Sequence, residues 1–496
     1  MSEQEKRVPS LLDSKSMGGN IAQDGFDFQM DLFLCKLPYW LSIEGFTSFI
    51  SEGIADGEAK FFLPSEGVKV EAIQVKNHYI SPQPFWKEIE NFREIDQGSP
   101  GMYSWFTLCC TGVSKEIKPL INGLRRLRGS QEFYLGSDIY QKSYEDYKKR
   151  VLNFGKDESM ANFLFQKVLI EPDWNKFSAK AARSIFQDQL KEHFPIFKDY
   201  PSRILDDVYY ALKELLRENR ACTITRNKIE RIIQMEVKER FSEYSIFQKP
   251  VSIITGWKEK QERTNEKLYF DWSAFFGGEK REFPPKEEWN SILVKELEDT
   301  RDWIIQHRNT RRIYLEGKRR LSAAFAFGAI FSEVLEFVIE MNHYGEIWGT
   351  SYLPTDDTPD YPFSVEFQKG AGDRLVVAIG IDRDNVGEEV IAYLEEENLC
   401  DLPMLHLSSP QRILSNQAHL VVKKIIGEIK TALIRSRAKQ IDLFYAGPVP
   451  IALFLGHKWN ALGPIQTQCY EYKGTGLYVP TCLLGPLKPQ MNPNEN

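Results

Sequence analysis

The sequence predicts an α/β protein, because its 496 residues fall into three regions with different patterns of apolar and charged residues. In the first, from about residue 18 to 129, short apolar strands alternate with helices. In the second, from about 134 to 248, charged amphipathic helices with a period near 3.6 dominate. In the third, apolar strands and helices follow one another in regular alternation, which is typical of a parallel sheet covered on both faces.

Length and composition limit the class of protein. The chain exceeds one typical domain, and 42% hydrophobic residues suffice for two or three cores. The formal net charge of −7 means that any contact with nucleic acid needs a local basic surface. The seven cysteines include no C-x-x-C pair, which predicts reduced thiols rather than disulfides or zinc sites. The N-terminus lacks an apolar signal core and no apolar stretch is long enough to span a bilayer, so we expect a cytoplasmic protein.

The first two regions are predicted to contain these elements in order. A helix covers residues 21–41, with aromatic and leucine side chains at helical spacing. The predicted strands are FTSFIS, EAKFFLP, VKVEAIQVK and SWFTLCCT, with the helix PFWKEIENFREI between the last two. The middle region contributes a helical extension that includes SRILDDVYYALKELLREN and RNKIERIIQMEVKERF.

The strand that ends in AIQVKNH carries Gln74 and Lys76 two residues apart. Because side chains alternate between the faces of a strand, Gln74 and Lys76 share one face and Glu71 points to the other. Upstream, FISEGIADGEAKFF places Asp56 at a predicted hairpin, with Glu52 as an alternative acid. An acid, a hairpin and then Gln-x-Lys on a strand is the layout of PD-(D/E)xK nucleases. The alternative is a solvated strand end with an ordinary lysine.

These residue types suit phosphodiester cleavage. A divalent metal polarises the phosphoryl group and lowers the pKa of the attacking water. Oxygen ligands such as carboxylates and amide carbonyls suit Mg²⁺ or Mn²⁺. A lysine beside the metal can orient the water and offset the charge of the transition state. Gln74 supplies a neutral oxygen where an acid is common, so we expect weakened metal affinity.

The third region follows the bridge FFGGEKREFPPKEEW and contains four strand–helix pairs. The strands are RIYLEG, LVVAIGID, MLHLSS and IDLFYAGP, and the helices after them are LSAAFAFGAIFSEVLEFVIE, NVGEEVIAYLEEEN, AHLVVKKIIGEIKTALIRSR and PIALFLGHKWN. We expect two Rossmann-like halves in tandem, the first built on the strand of Ile313 and the second on that of Val376. The expected boundaries are a nuclease domain at 1–235, a linker at 236–284 and a ligand-binding domain at 285–485.

Ligands of open parallel sheets bind beyond the carboxyl ends of the strands. These ends carry glycines, hydroxyls and basic residues, which we expect to lie together at the carboxyl edge of one sheet. A helix N-terminus with basic neighbours favours phosphate, and an exposed Trp can stack on a base. The alternatives are an ordinary turn, a core Trp and a solvated basic face. The predicted ligand-binding residues are Gly317, Lys318, Arg319, Trp348, Asp382, Ser408, Gly447, Pro448 and Lys458.

The chain resembles a known class of effectors in two places. The stretches GGNIAQDGFDFQ, IAD and AIQVKNH resemble the nuclease domain of effectors in the CBASS anti-phage systems. The stretches RRIYLEGKRRLSAAFAFG, EIWGTS, VVAIGIDRDNVGEEV and IDLFYAGPVPIALFLGHKWN resemble the SAVED domain, a fusion of two CARF-like sensor units. The resemblance implies a restriction-endonuclease-like, PD-(D/E)xK-like domain with a helical extension, followed by two fused CARF-like halves.

The resemblance also implies an activity. The SAVED domain would bind a cyclic oligonucleotide, with a cyclic trinucleotide as the expected ligand, and binding would drive self-association. The N-terminal domain would then degrade double-stranded DNA with Mg²⁺ or Mn²⁺. The catalytic and metal roles of the family carry over onto Asp56, Gln74, Lys76 and Gln29. Glu52 is a further candidate metal ligand, and Gln29 has the alternative of a buried core glutamine.

Two other functions fit the same sequence. The chain could be a nucleotide sensor whose N-terminal domain only binds, with Gln74 marking a lost catalytic site. It could also be an RNase on the same scaffold. Metal-dependent cleavage separates the first alternative from an endonuclease, and parallel digestion of duplex DNA and RNA separates the second.

Overall fold

The computed structural model describes residues 14–174, 178–237, 249–256, 265–474 and 476–486, with only the backbone described for 14–24. The chain divides into two compact units, Met1–Phe247 and Gln248–Asn496. Helices and strands occur together in both units, which confirms the predicted α/β class. Within the described part of the chain, no helix is long and apolar enough to cross a membrane.

The first unit contains one six-stranded sheet among its described residues, with helices on both faces. Its elements in chain order are α1 (Ser14–Ser42), β1 (Phe46–Ser51), β2 (Gly57–Leu63), β3 (Gly67–Ile80), α2 (Pro82–Gly98), β4 (Tyr103–Val113), α3 (Lys118–Gly129), α4 (Gln131–Tyr134), α5 (Asp138–Leu152), α6 (Glu158–Lys167), β5 (Val168–Glu171), α7 (Ala179–His193), α8 (Ser202–Glu218), β6 (Ile224–Thr225) and α9 (Arg226–Val237). The predicted last helix continued to 241, and residues 238–241 lie outside the described residues.

The sheet order is β5-β4-β3-β2-β1-β6. Strands β1, β2 and β3 form an antiparallel meander, and α2 connects β3 to its parallel neighbour β4. The predicted helical extension also supplies strands, because β5 and β6 lie at the two edges of the sheet. The middle region is therefore part of the first unit's sheet as well as of its helical layer.

The two faces of β3 pack against different helices. Ile73 and Val75 are buried in a cluster that also contains residues of α1, α7, α8 and α9. Val70 and Ala72 are buried in a second cluster with residues of α2, α3, α5 and α6. This confirms the alternation predicted for the strand, with each face covered by its own layer of helices.

The second unit contains two further sheets among its described residues. Its elements are β7 (Val251–Gly256), β8 (Leu268–Asp271), α10 (Lys286–Glu288), a π-helical segment (Trp289–Val294), α11 (Lys295–His307), β9 (Arg312–Gly317), α12 (Leu321–Ile330), β10 (Val338–His343), β11 (Glu346–Gly349), β12 (Ser364–Gln368), β13 (Arg374–Ile381), α13 (Val386–Glu396), β14 (Met404–Ser409), α14 (Ala418–Ser436), β15 (Gln440–Ala446), α15 (Val449–Lys458), β16 (Gln466–Gly474) and β17 (Leu477–Leu484).

The two sheets match the two predicted halves. One has the order β11-β10-β9-β7-β8 and contains Ile313 in β9. The other has the order β12-β14-β13-β15-β16-β17 and contains Val376 in β13. Each has a parallel centre with an antiparallel strand at an edge, β11 in the first sheet and β12 and β17 in the second.

Part of the segment 236–284, which we predicted to be a linker, forms strands in the structure. Strand β7 pairs in parallel with both β8 and β9, so part of the predicted linker lies inside the first of these sheets. Its sequence, VSIITG, explains the pairing, because the β-branched residues Val251 and Ile253 are fully buried there.

The predicted helix LSAAFAFGAIFSEVLEFVIE is also divided in the structure. Helix α12 ends at Ile330, a short 3-10 turn covers Glu333–Leu335, and the last residues form β10 beside β9. The β-branched pair Val338 and Ile339 favours a strand, and the parallel pairing with β9 satisfies its backbone groups.

Helices α12 and α15 hold the two halves together at paired glycines. A Cβ atom on Gly328 would lie 1.9 Å from the carbonyl oxygen of Leu453, and one on Gly456 would lie 2.0 Å from that of Phe325. The helix backbones are therefore in direct contact, and neither position accepts a side chain without movement. This contact fixes one half of the second unit against the other.

Candidate functional site

The first candidate site lies on the β2–β3 hairpin. Gly57 pairs with Ile73, so the preceding residue, Asp56, lies beside Gln74. The Gln74 amide donates a hydrogen bond from Nε2 to Asp56 Oδ2 at 2.5 Å, and the Val75 backbone N–H donates to the same oxygen at 2.7 Å. The structure therefore brings together the acid and the Gln-x-Lys pair that the sequence predicted to converge.

Lys76 lies on the same face of β3 and forms an ion pair with Glu88, which was not among the predicted site residues. Its Nζ is 3.0 Å from Oε1 of Glu88 in α2, and the two side chains are 26% and 15% exposed. A signal for Glu88 was present, because it follows Phe85 by three residues and precedes Phe92 by four. Residues at these spacings share a helix face, and both rings are buried. A carboxylate on that apolar face is unusual.

Several charges act on the Asp56 carboxyl. Burial is the largest cause and raises its pKa, while the Val75 N–H and the Lys76 ammonium lower it. The Glu88 and Glu52 carboxylates raise it further, since like charges disfavour ionisation. The net direction is upward, so Asp56 ionises at a higher pH than an ordinary aspartate.

Glu52 lies at the margin of this group, whereas Gln29 lies on α1, which packs against the opposite face of β3. The Glu52 backbone N–H donates to the Asp56 carbonyl oxygen at 2.8 Å and closes the turn, but its side chain is exposed. Gln29 lies one helical turn before Phe33, whose ring is 2.7 Å from where a Cβ on Gly57 would be. Among the hydrogen bonds of the described residues, none joins Gln29 to Asp56.

The donor atoms at Asp56 fit a hard divalent cation in type. A carboxylate and an amide oxygen are both suitable, although Gln74 presents Nε2 to Asp56 and would have to turn its amide. Within the described residues, no group of three or more His, Cys, Asp or Glu side chains could hold a metal ion. Any metal here therefore depends on few protein ligands.

Glu71 points away from this site, as its position on β3 predicted. Its carboxylate accepts hydrogen bonds from Trp40 Nε1 at 3.1 Å and from Thr107 Oγ1 at 2.9 Å. On the same face, Lys36 Nζ lies 2.7 Å from Glu171 Oε1. These polar groups satisfy one another against α1, and they lie on the face opposite to Lys76.

The second candidate site begins at the carboxyl end of β9. Gly317 has φ +83°, and a Cβ there would lie 2.1 Å from the Thr255 carbonyl oxygen. That oxygen accepts a hydrogen bond from the Lys318 N–H at 3.1 Å. The close approach of β7 therefore requires glycine, and it leaves the Lys318 side chain exposed.

Arg319 and Trp348 are buried rather than open to a ligand. Arg319 Nε donates to Thr255 Oγ1 at 3.1 Å, and Nη2 donates to the carbonyls of Glu316 and Gly317, each at 2.8 Å. Burial lowers the pKa of Arg319 to about 9. Trp348 is only 4% exposed. Arg319 therefore supports the loop after β9 from within, and Trp348 is part of the core beside β10.

The predicted phosphate site at the N-terminus of α12 is already capped by the protein. Glu471 of β16 accepts a hydrogen bond from the Ser322 backbone N–H at 2.7 Å. Desolvation raises the pKa of Glu471, while the Ser322 N–H and the nearby Arg320 lower it, and the net shift is upward. A carboxylate at a helix N-terminus satisfies the groups that a phosphate would bind.

The other predicted ligand residues end the second sheet or lie further away. Asp382 follows β13 and accepts a hydrogen bond from the Ile413 N–H at 2.8 Å. A Cβ on Gly447 would lie 2.9 Å from the Ile381 Cβ, so the Gly447–Pro448 turn adjoins the end of β13. Ser408 is buried in β14.

Lys458 does not join them. It ends α15, which has ten residues and is about 15 Å long, so it lies a helix length from Pro448. Its Nζ pairs with Glu333 Oε1 at 2.9 Å. The expectation that these residues lie together at the end of one sheet is therefore wrong. Gly317, Lys318 and Arg319 lie at the carboxyl end of a strand in one sheet, and Asp382 and Gly447 lie at the carboxyl ends of strands in the other. The reason is that β15 pairs with β13 and β16, not with β9.

Comparison with known proteins places these sites in a family context. Residues 296–484 match the family described as SAVED, the SMODS-associated and fused to various effectors sensor domain. CD-NTase-associated protein 4 of Moraxella osloensis is 27% identical over 480 residues, which cover 96% of this chain and 99% of that protein. The protein of the same name from Acinetobacter sp. (strain ATCC 27244 / 9458) is 26% identical over 482 residues, with 96% and 99% covered.

Solved structures agree over nearly the whole chain. The Acinetobacter baumannii Cap4 SAVED/CARF-domain containing receptor with the cyclic trinucleotide 3'3'3'-cAAA has a TM-score of 0.79 at 25% identity, covering 93% of this chain and 99% of that one. The Moraxella osloensis Cap4 receptor has a TM-score of 0.71 at 25% identity, with 94% and 100% covered. The chain therefore carries a C-terminal SAVED domain and is homologous over its length to the Cap4 receptors.

Proposed function

We propose that this chain is a metal-dependent endonuclease that degrades double-stranded DNA in anti-phage defence when a cyclic oligonucleotide binds its SAVED domain. The observation that carries the nuclease part is the contact of Asp56 with Gln74, two residues before Lys76 on one strand face. The similarity to receptors whose structures contain cyclic trinucleotides supports the sensing part, and it favours a cyclic trinucleotide as the ligand.

Asp56 and Gln74 would hold the metal through a carboxylate and an amide oxygen. When bound, Mg²⁺ or Mn²⁺ supplies Lewis acidity at the scissile phosphate and lowers the pKa of the attacking water. Asp56 has to be ionised for this role, and burial raises its pKa, so activity should require a pH above the range of an ordinary aspartate. Both hydrogen bonds to Asp56 reach Oδ2, so Oδ1 is the oxygen available to a cation.

Lys76 would orient the attacking water and offset the negative charge that develops on the phosphate. Its ammonium is paired with Glu88 in the structure. To act on the phosphate it has to share or leave that carboxylate when DNA enters. The pairing keeps a half-buried cation satisfied until then.

The exposed residues at the strand ends are the candidate ligand surface. Lys318 lies beside the Gly317 turn at the end of one sheet, and Asp382 lies beside Gly447 and Pro448 at the end of the other. An exposed ammonium suits a phosphate of a cyclic oligonucleotide, and glycine turns let its backbone approach closely. Arg319, Trp348 and Ser408 would shape this surface from below.

Self-association would connect the ligand to cleavage. With a net charge of −7, one chain offers little attraction to DNA. Several nuclease domains held together would add their weak DNA contacts into one strong, salt-sensitive footprint. Size-exclusion chromatography with light scattering, with and without ligand, tests this step. A protein that stays monomeric with ligand and still cuts at full rate would exclude it.

A specific observation also favours a sensor whose N-terminal domain only binds. Gln74 carries no charge and its NH₂ group faces Asp56, while the Lys76 ammonium is neutralised by Glu88. A lost active site could look the same. This reading predicts ligand binding without any metal-dependent cleavage of DNA or RNA. Cleavage of RNA but not of duplex DNA would instead indicate an RNase.

Plasmid degradation in Mg²⁺ tests the proposal, with and without cyclic di- and trinucleotides that include 3'3'3'-cAAA. We expect cutting by the wild type with one ligand only, and none by Lys76→Ala. Lys87→Ala is the matched control, because Lys87 is an exposed neighbour of Glu88 on α2. Cutting that Lys76→Ala leaves unchanged would overturn the assignment of the site on β3.

A further inference from the structure

Helix α2 carries a carboxylate on the face that packs against the sheet. Phe85 and Phe92 are fully buried on that face, and Glu88 lies between them at spacings of three and four residues. Its side chain is only 15% exposed. Placing a carboxylate there is costly unless a partner compensates the charge. The position therefore needs an explanation beyond packing.

The partner of Glu88 belongs to the proposed cleavage site. Lys76 Nζ lies 3.0 Å from Glu88 Oε1, and Lys76 shares its face of β3 with Gln74. Gln74 in turn contacts Asp56 at 2.5 Å. Four side chains thus follow one another across the hairpin and α2 in the order carboxylate, amide, ammonium, carboxylate. A carboxylate ends the series on each side.

The charges of this series are incomplete for a divalent cation without Glu88. Mg²⁺ in proteins is held by one or two carboxylates and by substrate phosphates. Asp56, just before β2, supplies one negative charge and Gln74 supplies none, while Glu58 on β2 is engaged by the Tyr103 hydroxyl. Glu88 is the carboxylate that reaches the same strand face from a neighbouring helix. It carries the charge that an acid at position 74 would have supplied.

We propose that Glu88 is the second carboxylate of the cation site at Asp56, and that Lys76 is its counter-ion in the metal-free protein. The proposal rests on the nuclease function proposed above. A cation entering the site would compete with the Lys76 ammonium for Glu88. Lys76 then has a free ammonium at the moment when the metal and the phosphate are both present.

This arrangement predicts opposite effects for the two members of the ion pair. Glu88→Gln removes a ligand charge, so the affinity for a divalent cation should fall. Lys76→Ala removes a competing positive charge, so the affinity should rise. If Glu88 only positioned Lys76, its loss would leave the Lys76 ammonium unpaired beside Asp56, so Glu88→Gln would weaken cation binding only while Lys76 is present. The effect of Glu88→Gln in a Lys76→Ala background therefore separates the two roles, because only the loss of a ligand weakens cation binding there.

Binding of Mn²⁺ to the full chain at pH 7.5, followed by the electron paramagnetic resonance signal of the free ion, is the test. We expect Glu88→Gln to weaken binding about tenfold or more. We expect Lys76→Ala to strengthen binding about threefold or more. Glu90→Gln is the matched control. Glu90 lies on the same helix as Glu88 but outside the site, and the change breaks its ion pair with Lys156. Unchanged or tighter binding by Glu88→Gln, either alone or in the Lys76→Ala background, overturns the proposal.

Two further variants keep the outcome clear. If Glu88→Gln does not fold, Glu88→Asp keeps the charge with a shorter reach and should bind Mn²⁺ more weakly than the wild type. Wild-type affinity in Glu88→Asp overturns the proposal. Asp56→Asn reports on the function itself. If it leaves Mn²⁺ binding intact, the cation site and the nuclease proposal fail together, whereas loss with Asp56→Asn but not with Glu88→Gln rejects only the role of Glu88.

Discussion

Gln74 and Asp56 are joined across the β2–β3 hairpin by a hydrogen bond of 2.5 Å. The register of the hairpin, with Gly57 opposite Ile73, fixes this contact. The other upstream acid, Glu52, belongs to the same turn but keeps its side chain in solvent. The structure therefore ranks the two acids that the sequence left as alternatives, with Asp56 inside the group and Glu52 at its margin.

Asp56→Asn should reduce ligand-activated DNA cleavage by about 100-fold or more, because the variant keeps the shape of the side chain but loses the charge near the transition state. Glu52→Gln should change the rate by less than about threefold, because an exposed, screened carboxylate contributes little. Initial rates of plasmid nicking in Mg²⁺ measure both. Equal losses for the two variants would show that both acids hold the metal.

The strand part of this site was predictable because it is local. The alternation on β3 and the short hairpin place Asp56, Gln74 and Lys76 together from sequence spacing alone. Glu88 was not predictable in the same way, because its contact with Lys76 depends on how α2, which connects β3 to β4, packs against the sheet. An amphipathic pattern shows which face of a helix is buried, but not which strand residue it meets.

Lys318→Ala should weaken binding of 3'3'3'-cAAA by about tenfold, because an exposed ammonium beside the Gly317 turn is suited to a ligand phosphate. Lys458→Ala should leave the affinity within about twofold, since Lys458 is paired with Glu333 at the far end of α15. Isothermal titration calorimetry of the full chain measures both. A loss confined to Lys458→Ala would move the ligand site to the end of α15.

The candidate ligand site was less predictable than the candidate nuclease site. The sequence predicted two halves, on the strands of Ile313 and Val376, yet it assigned all the ligand residues to the end of one sheet, whereas the structure distributes them over two. It also left the N-terminus of α12 open for phosphate, whereas Glu471 caps it from a strand about 150 residues away in sequence. Both differences arise from long-range pairing, for which a single sequence carries no local signal.

Glu471 should make stability depend on pH with a definite sign. Desolvation raises its pKa in the folded protein, so its contribution is fully present below the unfolded pKa and is lost as the pH rises through the folded pKa. In Glu471→Gln the amide oxygen still accepts the hydrogen bond from the Ser322 N–H. Because the amide does not ionise, the variant does not lose this stability as the pH rises. In thermal melts from pH 4 to pH 8, the melting temperature of the variant should rise relative to that of the wild type as the pH rises. A constant difference across this range contradicts the assignment.

Gly328→Ala should destabilise the second unit, because its Cβ would lie 1.9 Å from the Leu453 carbonyl oxygen and 2.7 Å from the His457 nitrogen. Both contacts are with backbone, so α12 and α15 have to separate, at a cost of about 2 kcal/mol or more. Gly427→Ala is the matched control, since Gly427 lies in α14 with nothing within 4 Å of an added Cβ. That change should raise stability by about 0.5–1 kcal/mol, because alanine favours a helix over glycine. Differential scanning fluorimetry should therefore show opposite shifts in melting temperature, and equal shifts would mean that the helix contact does not hold the two halves together.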